Sequence, residues 1–207
     1  MRHEGWLWLA ACFGILASTG SATAHEAPPA RDLAVSETPR LAVIREAPDF
    51  ALADTAGRTV QLSALRGQVV LIAFIYTTCA DACPLLTQRM VLARTRLRAA
   101  GLEGKTVFLS ITVDPDHDTA EALHTYAGRF RAASDRWRFL TGEPLRVRAV
   151  LSAYGEWTKR APGGSIDHPA RLYLFDGQGR VREIYSLAFF NDRQAYLDIR
   201  ALLAEAG

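Results

Sequence analysis

Hydrophobic residues along the chain alternate between unbroken runs and helically spaced stretches. Val69–Ile75 is apolar throughout, as expected of a strand buried on both faces. Residues 107–113 read as a second buried strand. Between them, across residues 85–97, apolar positions recur at helical spacing, with Arg89, Arg94, Arg96 and Arg98 expected to face outward. Residues 119–130 predict another helix, with Thr119 and Glu121 near its start. Residues 144–154 and 194–205 predict two more helices, and residues 137–140 a short strand. Two pairs of short runs flank turn sequences and read as hairpins. Residues 50–52 and 59–62 surround Asp54-Thr-Ala-Gly57; residues 172–175 and 181–185 surround Asp176-Gly-Gln-Gly179.

The resulting order is a hairpin, then strand–helix–strand–helix, then hairpin–helix. That is the thioredoxin-like order, an α/β fold with a central mixed sheet flanked by helices and an N-terminal β-hairpin. The crossover between the two buried strands is expected to be right-handed. The functional edge of such a sheet is the carboxyl end of its strands.

Upstream of this pattern the chain changes character. Arg2 and His3 form a weak basic start, residues 5–17 are apolar, and Ser21-Ala-Thr-Ala24 ends in a small-x-small site. Residues 1–24 therefore read as a signal peptide cleaved after Ala24, or as an uncleaved anchor, and Cys12 belongs to this segment. The apolar run is too short to span a bilayer unaided, which favours export. Residues 25–40 are rich in Ala, Pro, Glu and Ser and read as a flexible tether to a single domain at 41–207. The formal charge of the whole chain is +2, and removing residues 1–24 deletes one Arg and one Glu, leaving it unchanged. So mild a balance gives no support for nucleic-acid binding.

With Cys12 set aside, two cysteines remain, Cys79 and Cys83, in Tyr76-Thr-Thr-Cys79-Ala-Asp-Ala-Cys83-Pro84. They fall between the first buried strand and the following helix. The spacing is expected to put both sulfurs on one face of a helical turn. Unpaired N–H groups there favour thiolate. Pro84 is compatible with a first turn because its missing N–H would have had no partner. A structural disulfide fits poorly, because so short a loop removes little chain entropy. Metal binding and thiol–disulfide chemistry both remain open on spacing alone.

Three separated segments resemble the SCO/SenC family of copper-delivery proteins. The first is the cysteine segment just quoted. The second is Ser110-Ile-Thr-Val-Asp114-Pro115-Asp-His-Asp118-Thr119, and the third is Asp167-His168 ahead of Tyr173-Leu-Phe-Asp176. The resemblance covers roughly residues 41–203. It implies a copper site built from Cys79, Cys83 and His168, a donor set that suits Cu(I) and also holds Cu(II). It further implies a copper-receiving subunit of a terminal cytochrome c oxidase as partner, and an upstream copper donor or thiol reductant. Location would be the bacterial periplasm, with membrane contact only through an N-terminal anchor. Transfer by ligand exchange needs no catalytic turnover. His168 follows Ala161-Pro-Gly-Gly-Ser-Ile, whose glycines permit movement. Asp167 is expected to point away from the His168 ring, Asp114 and Asp118 to fix the loop and cap the next helix, and His117 and His124 to lie at the surface.

The chain departs from the family pattern at Ala80, where proline is usual, at Thr78, where histidine is frequent, and at Pro169, where a small hydroxyl residue is typical. These departures strengthen the alternative, a periplasmic thiol–disulfide oxidoreductase that reduces cysteines of a copper-receiving partner, in which Cys79 attacks and Cys83 resolves. Against it, the usual redox spacing is C-x-x-C, and such a role gives His168 no task. A peroxidase is disfavoured because Tyr76 occupies the place of the threonine that chemistry uses. A copper sensor without a delivery role has the same sequence requirements as a chaperone.

Overall fold

The computed structural model describes residues 35–205. The signal segment at 1–24, Cys12 and most of the tether lie outside the described residues. Continuous apolar sequence builds the centre of the sheet. Strand β4 (Val69–Ile75) is buried at every position, and so is β5 (Thr106–Thr112) beside it, parallel and in register from Val69–Thr106 to Ile75–Thr112. Strand β6 (Trp137–Thr141) continues the parallel pairing along β5. On the other side, β4 pairs antiparallel with β9 (Arg171–Phe175), which turns into β10 (Arg180–Ser186).

The predicted N-terminal hairpin is present as β2 (Ala51–Asp54) and β3 (Thr59–Gln61), and it extends the sheet by pairing with β6. A two-residue strand, β1 (Arg45–Glu46), pairs with β10, giving the order β1-β10-β9-β4-β5-β6-β2-β3. A separate small hairpin, β7 (Lys159–Arg160) with β8 (Ile166–Asp167), was not expected from the sequence. Its strands are too short to carry a periodic signal.

Among the described residues, four α-helices complete the fold: α1 (Ala82–Ala99), α2 (Ala120–Arg129), α3 (Pro144–Ala153) and α4 (Asp192–Glu205). Helix α1 buries Cys83, Leu86, Thr87, Met90, Ala93 and Leu97, a stripe at three- and four-residue intervals, and packs on α4. Two of its arginines do not face outward as predicted. Arg94 reaches across to the Ala132 carbonyl, Ser134 and Glu103, and its guanidinium lies 5.9 Å from the Trp137 ring centre. Arg89 donates to the carbonyls of Leu187 and Phe190. Both cations tie α1 to neighbouring loops, a use that helical periodicity cannot distinguish from a solvated face. Arg96 and Arg98 are exposed, as expected.

One buried carboxylate joins the strand ends. Asp118 accepts from the Thr77 N–H at 3.1–3.2 Å, from the Thr77 hydroxyl at 2.5 Å and from the Thr112 hydroxyl at 2.6 Å. It thereby fixes the segment leaving β4 to the segment leaving β5. Capping of α2 falls to Thr119, whose hydroxyl accepts from the Ala122 N–H. Asp118→Ala strands these donors, of which the Thr112 hydroxyl is buried and the Thr77 groups are partly buried, and a stranded buried group costs about 1–3 kcal/mol. Urea unfolding is expected to show a destabilisation of roughly 3 kcal/mol, whereas an unchanged midpoint would rule out this anchoring role.

Candidate metal centre

The cysteine pair is arranged differently from a single helical face. Cys79 lies in the turn ahead of α1, while Cys83 lies within the helix's first turn. Asp81 occupies the capping position but makes no side-chain cap. The sulfur of Cys79 takes that role, accepting the Cys83 N–H at 3.2 Å. A helix start leaves such N–H groups unpaired, and a thiolate satisfies one while meeting the positive end of the dipole.

The two thiols are consequently driven apart in acidity. The hydrogen bond from the Cys83 thiol brings Cys79 down to about 5, with further support from the Cys83 and Asp81 N–H groups and the Tyr76 hydroxyl, against the opposing effect of burial. Cys83 moves strongly upward, because it serves the Cys79 thiolate as a donor and because it is buried. Cys79 is half-buried, Cys83 is 2% exposed, and both are free thiols. The more accessible sulfur is therefore the ionised one.

His168 arrives from the opposite side. It follows β8 directly, and β8 is fastened to the cysteine turn by the Ile166 N–H, which donates to the Tyr76 hydroxyl at 3.2 Å. The rings of Tyr76 and His168 meet edge to face, with centroids 6.1 Å apart. All peptide bonds of the described residues are trans, including His168–Pro169, and Ala170 turns the chain into β9 with φ 49°. Asp167 is exposed and lines the same cavity as His168. The His168 Nδ1 instead accepts from the Ala170 N–H at 3.2 Å and lies 3.8 Å from Oε2 of buried Glu156.

Cys79 and His168 line one cavity of about 690 Å³, together with Tyr76, Asp81, Asp114, His117, Arg160 and the glycine pair Gly163-Gly164. Both glycines have positive φ, 97° and 92°, a conformation that residues with a Cβ rarely adopt. On the cavity rim, Asp114 accepts from Arg160 at 2.8 Å and lies 2.9 Å from the His117 ring nitrogen. His117 is largely exposed and His124 is exposed, as expected. Asp114 thus fixes the loop through the β7 arginine.

Among the described residues, no three His, Cys, Asp or Glu side chains converge closely enough to hold a metal ion. The structure thus brings the two cysteines together and places His168 on the same cavity, but not within a closed three-ligand site. The donor set nevertheless suits a soft ion: one ready thiolate, one thiol and one imidazole. Glu156 and Arg160 escaped sequence reasoning. Both lie in residues 154–160, a stretch with mixed polarity and no period, so nothing in the sequence signalled that Glu156 is buried.

Comparison with known proteins gives a consistent set of matches. The SCO1/SenC family model matches residues 40–204. The SCO1 protein homolog of Bacillus subtilis is 28% identical over 144 residues, covering 68% of this chain and 74% of the relative. The structure of Bradyrhizobium japonicum ScoI with copper bound superimposes with a TM-score of 0.67 at 27% identity, covering 76% of this chain and 99% of that one. BsSco, described as a member of the Sco family of cytochrome c oxidase assembly proteins and as carrying a disulfide switch, gives 0.69 at 25% identity, with 80% and 98% coverage.

The inverted acidity of the two thiols has a direct readout. Alkylation of the reduced protein by iodoacetamide should modify Cys79 with a midpoint near pH 5 and leave Cys83 largely unmodified. An ordinary thiol midpoint at about 8.5 for Cys79 would contradict this arrangement. Stability follows the same ionisation. The unfolded chain retains the Cys79 proton up to its ordinary value, while the folded chain has released it, so the unfolded state binds more protons in between. Stability of the reduced protein should therefore rise with pH above about 5, and Cys79→Ser should flatten that rise.

Proposed function

The chain belongs to the SCO1/SenC family, and on that footing we propose that it binds copper through Cys79, Cys83 and His168 and delivers it to a terminal cytochrome c oxidase during assembly. The observation that carries this reading is the placement of a pre-ionised thiolate and a histidine on one cavity. A relative solved with copper bound supports the identity of the cargo.

Copper reaches the half-buried Cys79 thiolate, which lines the cavity, without prior loss of a proton. Binding by Cys83 releases the proton that its thiol holds, so loading is coupled to proton release. Engagement of His168 requires its arm to approach the helix start, and the Gly163-Gly164 tip of the β7–β8 hairpin is the natural place for that movement. Transfer proceeds by exchange of these ligands for those of the receiving subunit, with no covalent bond formed in the protein. As part of the same proposal, residues 1–24 export the chain to the bacterial periplasm or hold it at the inner membrane. Among the described residues, no helix is long and apolar enough to cross a membrane.

A second reading, thiol–disulfide exchange, is favoured by the same unequal pair and by the disulfide switch described for BsSco. Cys79 thiolate would attack a partner disulfide, forming a mixed disulfide and releasing one partner thiolate. Cys83 would then pass its proton to that thiolate and attack the Cys79 sulfur. The partner leaves with one thiol and one thiolate, the latter taking its proton from solvent, and the Cys79–Cys83 disulfide awaits a thiol reductant.

Copper titration of the fully reduced protein separates these readings. The wild type should bind tightly, with His168→Ala weaker by at least an order of magnitude, roughly the loss that follows from disturbing a metal ligand. Equal tight binding by both proteins would remove His168 from the site. No copper binding, with rapid exchange with disulfides, would transfer the assignment to the oxidoreductase.

A further inference from the structure

Glu156 holds the one buried side-chain oxygen among the described residues that meets no hydrogen-bond partner, Oε2. Its side chain is fully buried. The other oxygen is only weakly served. Tyr173 lies 3.3 Å from Oε1, but its single proton is directed to the Tyr154 carbonyl at 2.6 Å. Arg171 approaches Oε1 no closer than 3.9 Å and is itself partly exposed. A carboxylate this short of donors is strongly unfavourable in a protein interior unless another group completes it.

The group facing the orphan oxygen is His168, whose Nδ1 lies 3.8 Å from Oε2 and whose side chain is 4% exposed. Two neighbours therefore compete for one ring nitrogen. The Ala170 N–H donates to Nδ1, which requires a lone pair there and leaves the ring proton on Nε2. Glu156 requires the reverse, a proton on Nδ1. Only the second tautomer leaves the Nε2 lone pair available as a ligand.

We infer that Glu156 is a positioning residue for His168. Its Oε2 accepts the Nδ1–H, which selects the tautomer with a free Nε2 and fixes the ring for metal. One proton leaves Nε2 and one arrives at Nδ1, so the net charge is unchanged. Histidine ligands commonly donate their second N–H to a carboxylate, and here the carboxylate comes from the segment after α3. The metal-binding half of this inference rests on the copper reading given above; the tautomer half does not.

The test compares wild type with Glu156→Gln, which keeps the size but places an amide where the acceptor stands. Nitrogen-15 spectra of the reduced, metal-free proteins at mildly alkaline pH should show an Nδ1–H fraction of His168 in the wild type that falls in the variant. Copper affinity should fall about 10- to 100-fold, and the nitrogen couplings of the Cu(II) electron paramagnetic resonance spectrum should change. Glu156→Asp, with its carboxylate drawn back from the ring, should be intermediate in both readouts and decides the question if the Gln variant does not fold. Identical tautomer populations and affinities in wild type and variants would overturn the inference. A wild type that binds no copper would remove the copper reading, and the tautomer comparison would still decide the role of Glu156.

Discussion

The N–H of Cys83 donates to the sulfur of Cys79, and helix α1 thereby begins on a thiolate instead of a capping oxygen. That contact ties a structural need to a chemical one. The helix start requires an acceptor for its unpaired donors, and the sulfur requires positive polarisation to lose its proton near neutral pH. Cys83 completes the arrangement as a buried donor, which explains why two cysteines so close in sequence have opposite acidities. Substituting either residue changes the chemistry of the other.

The rest of the fold holds that turn in place. Strands β4 and β5 run parallel and in register to their carboxyl ends, so the two segments that leave them emerge side by side. Asp118 joins those segments through Thr77 and Thr112, just ahead of the cysteine turn. From the other side, Tyr76 reaches Ile166 and anchors the arm that carries His168. The cavity between these anchors has a rigid sheet behind it and a glycine-tipped hairpin over it. On the copper reading proposed above, the sheet would be the fixed wall of the site and the glycine-tipped hairpin the movable one.

Much of this could be read in the sequence because the strongest signals are local. The uninterrupted run at residues 69–75 reads as a central strand, and the Asp-Thr-Ala-Gly and Asp-Gly-Gln-Gly sequences read as hairpin turns. Cys79, Cys83 and His168 stand out in the sequence because each lies in a short segment of consecutive residues that resembles the family's. What escaped depends on contacts between distant segments. Arg94 has the spacing of a surface arginine, yet it is drawn over Trp137 and towards Ala132. Glu156 sits beside glycine and tryptophan in an aperiodic stretch, and its burial goes with the contacts that residues 154–156 make to Arg171 and Tyr173 of β9. The expected sharing of one helical face by both sulfurs failed because α1 begins at Ala82, so Cys79 lies before the helix and caps it.

The account stands on a copper ion held jointly by the two cysteines and His168. X-ray absorption at the copper edge of the Cu(I)-loaded, fully reduced protein measures that directly. Two sulfur neighbours and one nitrogen neighbour are predicted, with the nitrogen contribution lost in His168→Ala. A sulfur-only environment, unchanged by that substitution, would contradict it.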